Sequence, residues 1–193
     1  MSQRRSVLIG VGIPVLLVLA LFAWGVAQND GRTGRPGVND RFGEIDLSVE
    51  PDADFTLATL EGNLISISDY RGKIVVVDFW SSWCTPCRTE AEILAETHKF
   101  WQNRGVEFIG VAIWDTEQSV RNFIDLYGIE YVNAIDTTGL TAVDFGVTGI
   151  PEKFFVDHRG NIIRKVVGPN TRKTLDDILT DLTDEALENT GPS

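Results

Sequence analysis

The chain has few of the side chains that bind metals or build disulfide frameworks. Its 193 residues include two cysteines, two histidines and one methionine. A zinc site with four ligands would need every cysteine and histidine in the chain, and a scaffold held by several disulfides is impossible. The chemistry of this protein must therefore come from a small number of residues, and we expect no metal site.

Basic side chains are also scarce. Lys and Arg together number 17 against 28 Asp and Glu, which gives a formal net charge of -11. A protein that binds the phosphate backbone of nucleic acid normally carries the opposite charge, so we expect no nucleic-acid partner. Hydrophobic residues make up 43% of the chain, which is typical of a globular domain and not of a disordered one.

One stretch near the N-terminus lacks charge altogether. Residues 6–29 contain no charged side chain, and positions 7–27 are nearly all apolar. About 20 apolar residues suffice for a helix to cross the hydrocarbon of a bilayer. Arg4 and Arg5 precede the stretch, so the positive-inside rule places the N-terminus in the cytoplasm and the rest of the chain outside it. Residues 1–28 are therefore interpreted as a cytoplasmic tip and a transmembrane anchor in the cytoplasmic membrane.

A cleaved signal peptide is the competing interpretation of this stretch. Gly25 and Ala27 form a small-x-small site, but the apolar core of a signal peptide is usually only about 7–15 residues long. Residues 29–50 follow, with several glycines, a proline and many charges but neither helical nor strand periodicity. This composition predicts a flexible linker.

The remaining residues, 51–189, alternate between strand and helix patterns. Residues 55–67 predict a short β-hairpin around Gly62-Asn63. Buried or half-buried strands are predicted at Lys73–Trp80, Val106–Ile113, Tyr131–Ile135, Lys153–Val156 and Ile162–Val167. Helical spacing of apolar residues predicts helices over Thr85–Asn103, Val120–Tyr127, Thr141–Phe145 and Leu175–Ala186. The pattern indicates an α/β domain that ends in an antiparallel pair of strands and a helix.

Two cysteines stand where the first buried strand gives way to a helix, in the segment Trp83-Cys84-Thr85-Pro86-Cys87. The helix N-terminus favours a thiolate, so Cys84 is expected to be the nucleophile. Cys87 lies one turn further on, where it can close a disulfide with Cys84 and resolve a mixed disulfide with a client. A structural disulfide, or half of a metal site completed by His98 and His158, are the alternatives.

The cysteine segment and a downstream proline resemble the thioredoxin superfamily. The residues that carry the resemblance are Val-Val-Val-Asp-Phe-Trp-Ser-Ser-Trp-Cys-Thr-Pro-Cys-Arg at 75–88 and Gly149-Ile150-Pro151. The anchor, the hairpin and the extra helix and strand at 117–135 are similar to its membrane-anchored TlpA/ResA/CcmG branch. The resemblance implies a thioredoxin-like fold, with a central mixed sheet, an N-terminal hairpin and a central insertion. It also implies a thiol–disulfide oxidoreductase that needs no cofactor beyond its redox-active disulfide.

The same resemblance implies where clients bind. Pro151 matches a proline whose preceding peptide bond is cis and faces the cysteines. The backbone of Ile150 would then be free to pair with an extended client. Glu152 matches an acid beside the client groove in the cytochrome c maturation members, and the alternative is a rim charge at the start of a strand. Trp83, Thr85 and Pro86 complete the set of expected client-binding residues.

Two acids are candidates for proton transfer at Cys87. Glu90 stands three residues after Cys87 on the same helix face and matches an acid that reducing members of the branch carry. Asp78 is the one charged residue in its apolar strand and resembles the buried aspartate of thioredoxin, where burial raises the pKa. Either acid could be the working base. The alternatives are a surface acid near the helix N-terminus for Glu90 and a structurally satisfied polar residue for Asp78.

These features together predict a membrane-tethered, extracytoplasmic oxidoreductase that reduces client disulfides. Apocytochrome c is the client that the resemblance implies, and a transmembrane thiol carrier of the CcdA/DsbD type would return the enzyme to its dithiol form. Two alternatives remain: a thioredoxin-like chaperone that handles copper or zinc, and a general oxidant of exported proteins.

Overall fold

The computed structural model describes residues 12–21, 23–24, 37–39, 42–50 and 54–189. The chain forms two units, divided between Arg35 and Pro36. In the first unit, residues 12–21 and 23–24 are helical. No helix within the described ranges is both long enough and apolar enough to cross a membrane. The predicted anchor at 7–27 lies partly outside those ranges and stays a prediction.

A six-stranded mixed sheet forms the centre of the second unit. Its spatial order is β1 (Gly43–Glu50), β8 (Ile162–Val167), β7 (Glu152–Val156), β4 (Ile74–Trp80), β5 (Val106–Ile113) and β6 (Val132–Asp136), numbered along the chain. The strands β4, β5 and β6 are parallel, whereas β7, β8 and β1 each run antiparallel to their neighbours. Every residue of β4 is buried, as its β-branched run predicted for a central strand.

The strand β1 lies in the segment that the sequence assigned to a flexible linker. Gly43 pairs with Val167 of β8, and Glu44 also forms an ion pair with Arg164 at 3.1 Å. Part of the predicted linker at 29–50 is therefore a strand, and the domain begins before residue 51. The sequence does carry a signal for this strand that the linker interpretation missed, because Ile45, Leu47 and Val49 alternate with polar residues. The glycines, the proline and the charges around this alternation favoured a linker instead.

The predicted N-terminal hairpin is confirmed. Its strands, β2 (Thr56–Ala58) and β3 (Leu64–Ser66), pair antiparallel. The residues after β2 then contact the edge of the main sheet, because the backbone N–H of Leu60 donates to the carbonyl of Asn133 at 3.2 Å. The hairpin thus lies beside β6.

The helices agree with the predicted positions to within one turn at each end. They are α1 (Thr85–Trp101), α2 (Glu117–Tyr127), α3 (Leu140–Asp144) and α4 (Arg172–Asn189), with short 3-10 helices at Ile67–Tyr70 and Gln102–Arg104. The helix α2 begins with the Thr116 side chain, which accepts a hydrogen bond from the Ser119 backbone, and it ends at Gly128 in the left-handed conformation that glycine favours. The helix α1 packs against β5, α2 and α4.

Side chains alternate between the two faces of the central strands. Phe79 of β4 and Phe154 of β7 share one face, where their rings pack on Phe145 beside α3 with centroids 5.3 and 5.2 Å away. Asp78 and Lys153 pair directly across these strands and point to the opposite face, which α1 covers. The sheet therefore carries two charged side chains into the core beneath α1.

Candidate functional site

The two cysteines form a disulfide at the first turn of α1, with their Cα atoms 5.3 Å apart. Cys84 is the N-cap residue, and its Sγ accepts a hydrogen bond from the backbone N–H of Cys87 at 3.2 Å. Pro86 sits in the first turn, where its missing N–H is not needed. The free N–H groups of a helix start stabilise negative charge, so Cys84 is the sulfur favoured as a thiolate after reduction.

The loop that leads into the cysteines is fastened to the end of β5. The backbone N–H of Ser82 donates to Asp115 Oδ2 at 2.6 Å, and Nε1 of Trp83 donates to the carbonyl of Trp114 at 3.0 Å. Arg88 Nε reaches back from α1 and donates to the Ser82 carbonyl at 2.6 Å. These bonds hold Cys84 in one position relative to the sheet.

The residues expected to bind clients divide into exposed and buried groups. Trp83 is 37% exposed, Thr85 is exposed and Pro86 is half-buried at the start of α1, so these three residues reach the surface, and their role in client binding stays a prediction. Ile150 and Glu152 are both fully buried. The sequence had placed both of these at the client groove.

The peptide bond between Ile150 and Pro151 is cis, as the resemblance implies. The prediction that the Ile150 backbone is free is wrong in this structure. Its N–H donates to the carbonyl of Gly37 at 2.8 Å, and its carbonyl accepts the N–H of Asn39 at 2.6 Å. Residues 37–39, which the sequence placed in the linker, therefore hold both hydrogen-bonding groups that a client would use.

Glu152 lies inside the domain and not at a rim. Its Oε1 accepts hydrogen bonds from the Thr148 hydroxyl at 2.8 Å and the Gly149 N–H at 3.2 Å, and its Oε2 lies 2.8 Å from Lys165 Nζ. While Asn39 Nδ2 donates to Glu152 Oε1 at 3.2 Å, this carboxylate is not accessible to a client. The carboxylate instead fixes the loop that precedes Pro151, because strand alternation turns it inward beneath that loop.

A buried cluster of three charged side chains lies below α1. Lys153 Nζ is 2.5 Å from Glu90 Oε1 and 3.4 Å from Asp78 Oδ1, and each of the three side chains is at least 96% buried. The second oxygen of Glu90 accepts the backbone N–H of Asn170 at 2.7 Å, just before α4. Glu90 is thus not a surface acid, and the two candidate bases share one cation. Buried charges require such partners, since desolvation is costly.

The three groups of this cluster have displaced pKa values. Burial raises the pKa of Glu90 to about 7; the charge of Asp78 adds to the rise, while Lys153 and the Asn170 N–H oppose it. Burial also raises the pKa of Asp78, against the effect of Lys153. Burial alone would lower the pKa of Lys153, but the two carboxylates together raise it. Glu90 has the shorter contact with Lys153 and an additional N–H donor, so a proton shared by the acids resides more on Asp78.

Two residues of the site were missed from the sequence. Lys153 had a usable signal, because it is the only charge in Lys153-Phe-Phe-Val156 and an antiparallel pairing can set it opposite Asp78. Trp114 has no such signal: its backbone φ is +53°, the only positive φ of a residue other than glycine in the described parts of the chain. A left-handed aromatic residue costs about 1–2 kcal/mol, and strain of this kind concentrates at functional sites.

The two histidines lie in different surroundings. The ring of His98 packs against Phe108 and Tyr131 with centroids 5.7 and 5.5 Å away, and burial lowers its pKa. His158 follows β7, and its carbonyl accepts the N–H of Gly72 at 2.8 Å. Among the residues that the structure describes, no group of three or more His, Cys, Asp or Glu is placed to hold a metal ion.

The free energy of unfolding should fall as the pH rises from about 4.5 to about 7. The pKa of Glu90 is about 7 in the folded state against 4.5 as its ordinary value, so in this window the folded chain holds a proton that the unfolded chain has released. The full shift corresponds to a loss on the order of 3 kcal/mol. Asp78 acts in the same direction, because its folded pKa is also raised.

Denaturant unfolding at several pH values measures this effect. Glu90→Gln should reduce the pH dependence of the free energy of unfolding between about pH 4.5 and pH 7, because it removes the group that titrates there. Glu130→Gln, which alters an acid whose side chain is 61% exposed, should keep the wild-type slope. A Glu90→Gln protein with an unchanged slope would contradict the assignment.

Comparisons with known proteins match this fold and site. The profile of the AhpC/TSA family matches residues 50–165. The thiol-disulfide oxidoreductase ResA of Bacillus thuringiensis subsp. konkukian (strain 97-27) is 33% identical over 129 residues, which are 67% of this chain and 75% of that protein. ResA of Bacillus subtilis (strain 168) is 29% identical over 181 residues, 93% of this chain and 94% of that protein.

A solved structure is similar as well. A thiol:disulfide interchange protein of the thioredoxin family from Chlorobium tepidum TLS superposes with a TM-score of 0.61 and 29% identity, over 79% of this chain and 99% of that one. The predicted thioredoxin-like α/β fold is thereby confirmed.

Proposed function

From the premise that this chain belongs to the AhpC/TSA family and to its ResA-type thiol–disulfide oxidoreductases, we propose that it reduces protein disulfides outside the cytoplasm while its N-terminal segment tethers it to the membrane. The class of enzyme, a thiol–disulfide oxidoreductase, follows from the relatives. The observation that carries the proposed direction is the environment of the Cys84–Cys87 disulfide. It begins a helix whose next turn carries Glu90, an acid buried with a second acid and one lysine.

The reaction transfers two electrons by thiol exchange. In the reduced enzyme, the Cys84 thiolate attacks one sulfur of a client disulfide and releases the other as a thiolate, which leaves a mixed disulfide. Cys87 then loses its proton and attacks Cys84 Sγ. The enzyme disulfide forms, and the client's second sulfur leaves as a thiolate. The Cys84–Cys87 bond in this structure is the oxidised product of that cycle.

Glu90 is the proposed acceptor of the Cys87 proton. It stands one helical turn from Cys87, and its pKa of about 7 suits a base that works near neutral pH. Lys153 lowers the pKa of Glu90 and so allows this acid to ionise near neutral pH. If the lysine were absent, burial and the charge of Asp78 would raise the pKa of Glu90 further. Asp78 is then a second reservoir for the proton and not the first acceptor.

The reductive direction is supported by the partners of three cations in the described part of the chain, Arg88, Lys153 and Lys165. A strong oxidant stabilises its thiolate far more than a helix N-terminus alone does. Arg88 is the nearest base in the sequence, and its Nε donates to the Ser82 carbonyl. The buried lysines, Lys153 and Lys165, have carboxylate partners of their own. The proposal therefore expects a reduction potential near about -270 mV, as in thioredoxin.

Equilibration of the full chain with defined thiol–disulfide buffers, followed by alkylation of free thiols and mass analysis, measures this potential. A value near about -120 mV, typical of a strong oxidant, would replace the reductase with a general oxidant of exported proteins. A Cys84→Ser/Cys87→Ser protein provides the baseline, because it has no thiol to alkylate.

The finer parts of the proposal concern location and partners. The charge-free stretch behind Arg4 and Arg5 supports a signal anchor, which requires that the protein stay in membranes washed with carbonate and not appear as a soluble form that starts near Gln28. The proposed client is a protein disulfide, with apocytochrome c as the first candidate. A transmembrane thiol carrier of the CcdA/DsbD type is the proposed electron donor.

A further inference from the structure

We infer that residues 37–39 occupy the client groove of their own domain, so that this segment competes with client peptides for the backbone beside Pro151. The inference rests on the proposed function, since it concerns access to the same disulfide. It assigns the segment a role beyond that of a spacer: it is an internal occupant of the binding surface, and it shows which peptide that surface accepts.

The main-chain contacts carry the inference. Val38 and Ile150 form a parallel β-bridge, in which Ile150 donates to Gly37 at 2.8 Å and accepts from Asn39 at 2.6 Å. A client that binds by adding a strand needs this N–H and this carbonyl. The N–H can serve one acceptor at a time, so the segment and a client cannot pair with Ile150 together.

Side-chain contacts show that the segment fits a formed site. Asn39 Nδ2 donates to the Pro151 carbonyl at 3.3 Å and to Glu152 Oε1 at 3.2 Å. Gly149 leaves the necessary space, because a Cβ there would lie 2.8 Å from Asn39 Oδ1 and 3.1 Å from the carbonyl carbon of Gly37. The buried carboxylate of Glu152 thus anchors the segment as well as the loop.

Trp114 contacts both this segment and the residue before Cys84. A Cβ on Gly37 would lie 3.5 Å from the ring of Trp114, so the glycine passes close to that indole with a φ of +80°. The carbonyl of Trp114 accepts the Nε1 proton of Trp83, the residue before Cys84. Residues 37–39 therefore contact Trp114 and the loop of the cis proline, and Trp114 in turn contacts the loop that holds the nucleophile.

The occupant indicates the chemistry of the peptide that the groove accepts. Such a peptide is extended, has a residue without a bulky side chain opposite Trp114, and has a short side chain with an N–H or O–H donor that reaches Glu152. A client with these features can replace the contacts of residues 37–39, so it displaces the segment with the smallest loss of free energy.

The substitution Asn39→Pro tests the competition, because it removes the N–H that binds the Ile150 carbonyl and also the side-chain donor. For a peptide disulfide, kcat/KM should rise by roughly tenfold if the open groove is about a tenth populated in the wild-type protein. Hydroxyethyl disulfide does not need the Ile150 backbone, so its kcat/KM should not change. The ratio of kcat/KM for the peptide disulfide to kcat/KM for hydroxyethyl disulfide should therefore rise. Asn39→Ala should give a smaller rise, and Asn122→Ala, the same change on the exposed side of α2, should give none.

Hydrogen exchange at the Ile150 amide provides a readout that is independent of activity, and it should become faster in Asn39→Pro. Faster exchange without a rise in the peptide ratio would overturn the inference while the oxidoreductase activity stands. Unchanged exchange would overturn it too, because the bonds to residues 37–39 would then not protect Ile150. If Asn39→Pro does not fold, Asn39→Ala tests the inference by the same two measurements, the ratio of kcat/KM values and hydrogen exchange at the Ile150 amide. Failure of every protein, wild type included, to reduce any disulfide would reject the proposed function itself.

Discussion

Cys87→Ser should trap mixed disulfides between Cys84 and client proteins, whereas Cys84→Ser should trap none. Cys84 caps α1 and is the sulfur whose thiolate the helix start stabilises, so it makes the first attack. Without Cys87, the mixed disulfide has no internal thiol to release it. Turnover should fall on the order of a thousandfold or more in either variant, because the two thiols act as one unit.

Non-reducing gels of cells that express each variant measure the trapping, and mass analysis of the trapped species identifies the client. An apocytochrome c among those species would support the proposed client, and other exported proteins would indicate a broader substrate range. The doubly substituted protein controls for non-specific cross-linking. Equal trapping by the two single variants would show that the assigned roles of attacking and resolving thiol are wrong.

Lys153→Met should destabilise the domain by about 3–5 kcal/mol at a pH where the acids ionise, because the substitution leaves two buried carboxyl groups without their shared cation. The loss should be smaller near pH 5, because Glu90 is then mostly protonated and the raised pKa of Asp78 also favours its neutral form. Lys99→Met is the matched control: Lys99 pairs with Glu130 at 2.8 Å between side chains that are 48% and 61% exposed. Such a surface pair contributes about 1 kcal/mol or less.

Unfolding by denaturant at about pH 5 and about pH 8 measures these losses. Lys153→Met combined with Glu90→Gln should recover part of the stability at the higher pH, because one of the stranded carboxylates is gone. In the same Lys153→Met protein, the pH dependence of the attack of Cys87 on the mixed disulfide should shift to higher pH. The reason is that the pKa of Glu90 rises when the lysine is absent. A variant as stable as wild type at both pH values would refute the role of Lys153 as the shared counter-ion.

Features with local signals were predictable from the sequence. Cys-x-x-Cys after an apolar strand gave the start of α1, and apolar periodicity placed each helix to within one turn. Gly62-Asn63 between two short apolar runs located the hairpin. Such patterns are decided within a few residues along the chain, where turn chemistry and amphipathic spacing act.

Features that depend on distant contacts were not predictable. The strand β1 has the alternation of a strand in its own sequence, but its place beside β8 depends on pairing with residues more than a hundred positions later in the chain. The backbone hydrogen bonds between Ile150 and residues 37–39 connect positions that lie more than a hundred residues apart in the chain. Burial of Glu90 depends on Lys153 and on the Asn170 N–H, which come from β7 and from the start of α4. The sequence around Glu90 does not indicate Lys153 or Asn170 as its partners, and the sequence around Ile150 does not indicate residues 37–39.

The buried carboxylate of Glu152 has a consequence for how this sequence can evolve. It connects Asn39 in the client groove, the Thr148 hydroxyl and Lys165 of β8. A mutation of Glu152 to a neutral residue would leave the Lys165 side chain, which is 91% buried, without a carboxylate partner and with only the Gly146 carbonyl as an acceptor, so we expect a substitution at position 165 to follow. Lineages that have lost the acid should therefore have lost the lysine, and position 39 should then be free to vary.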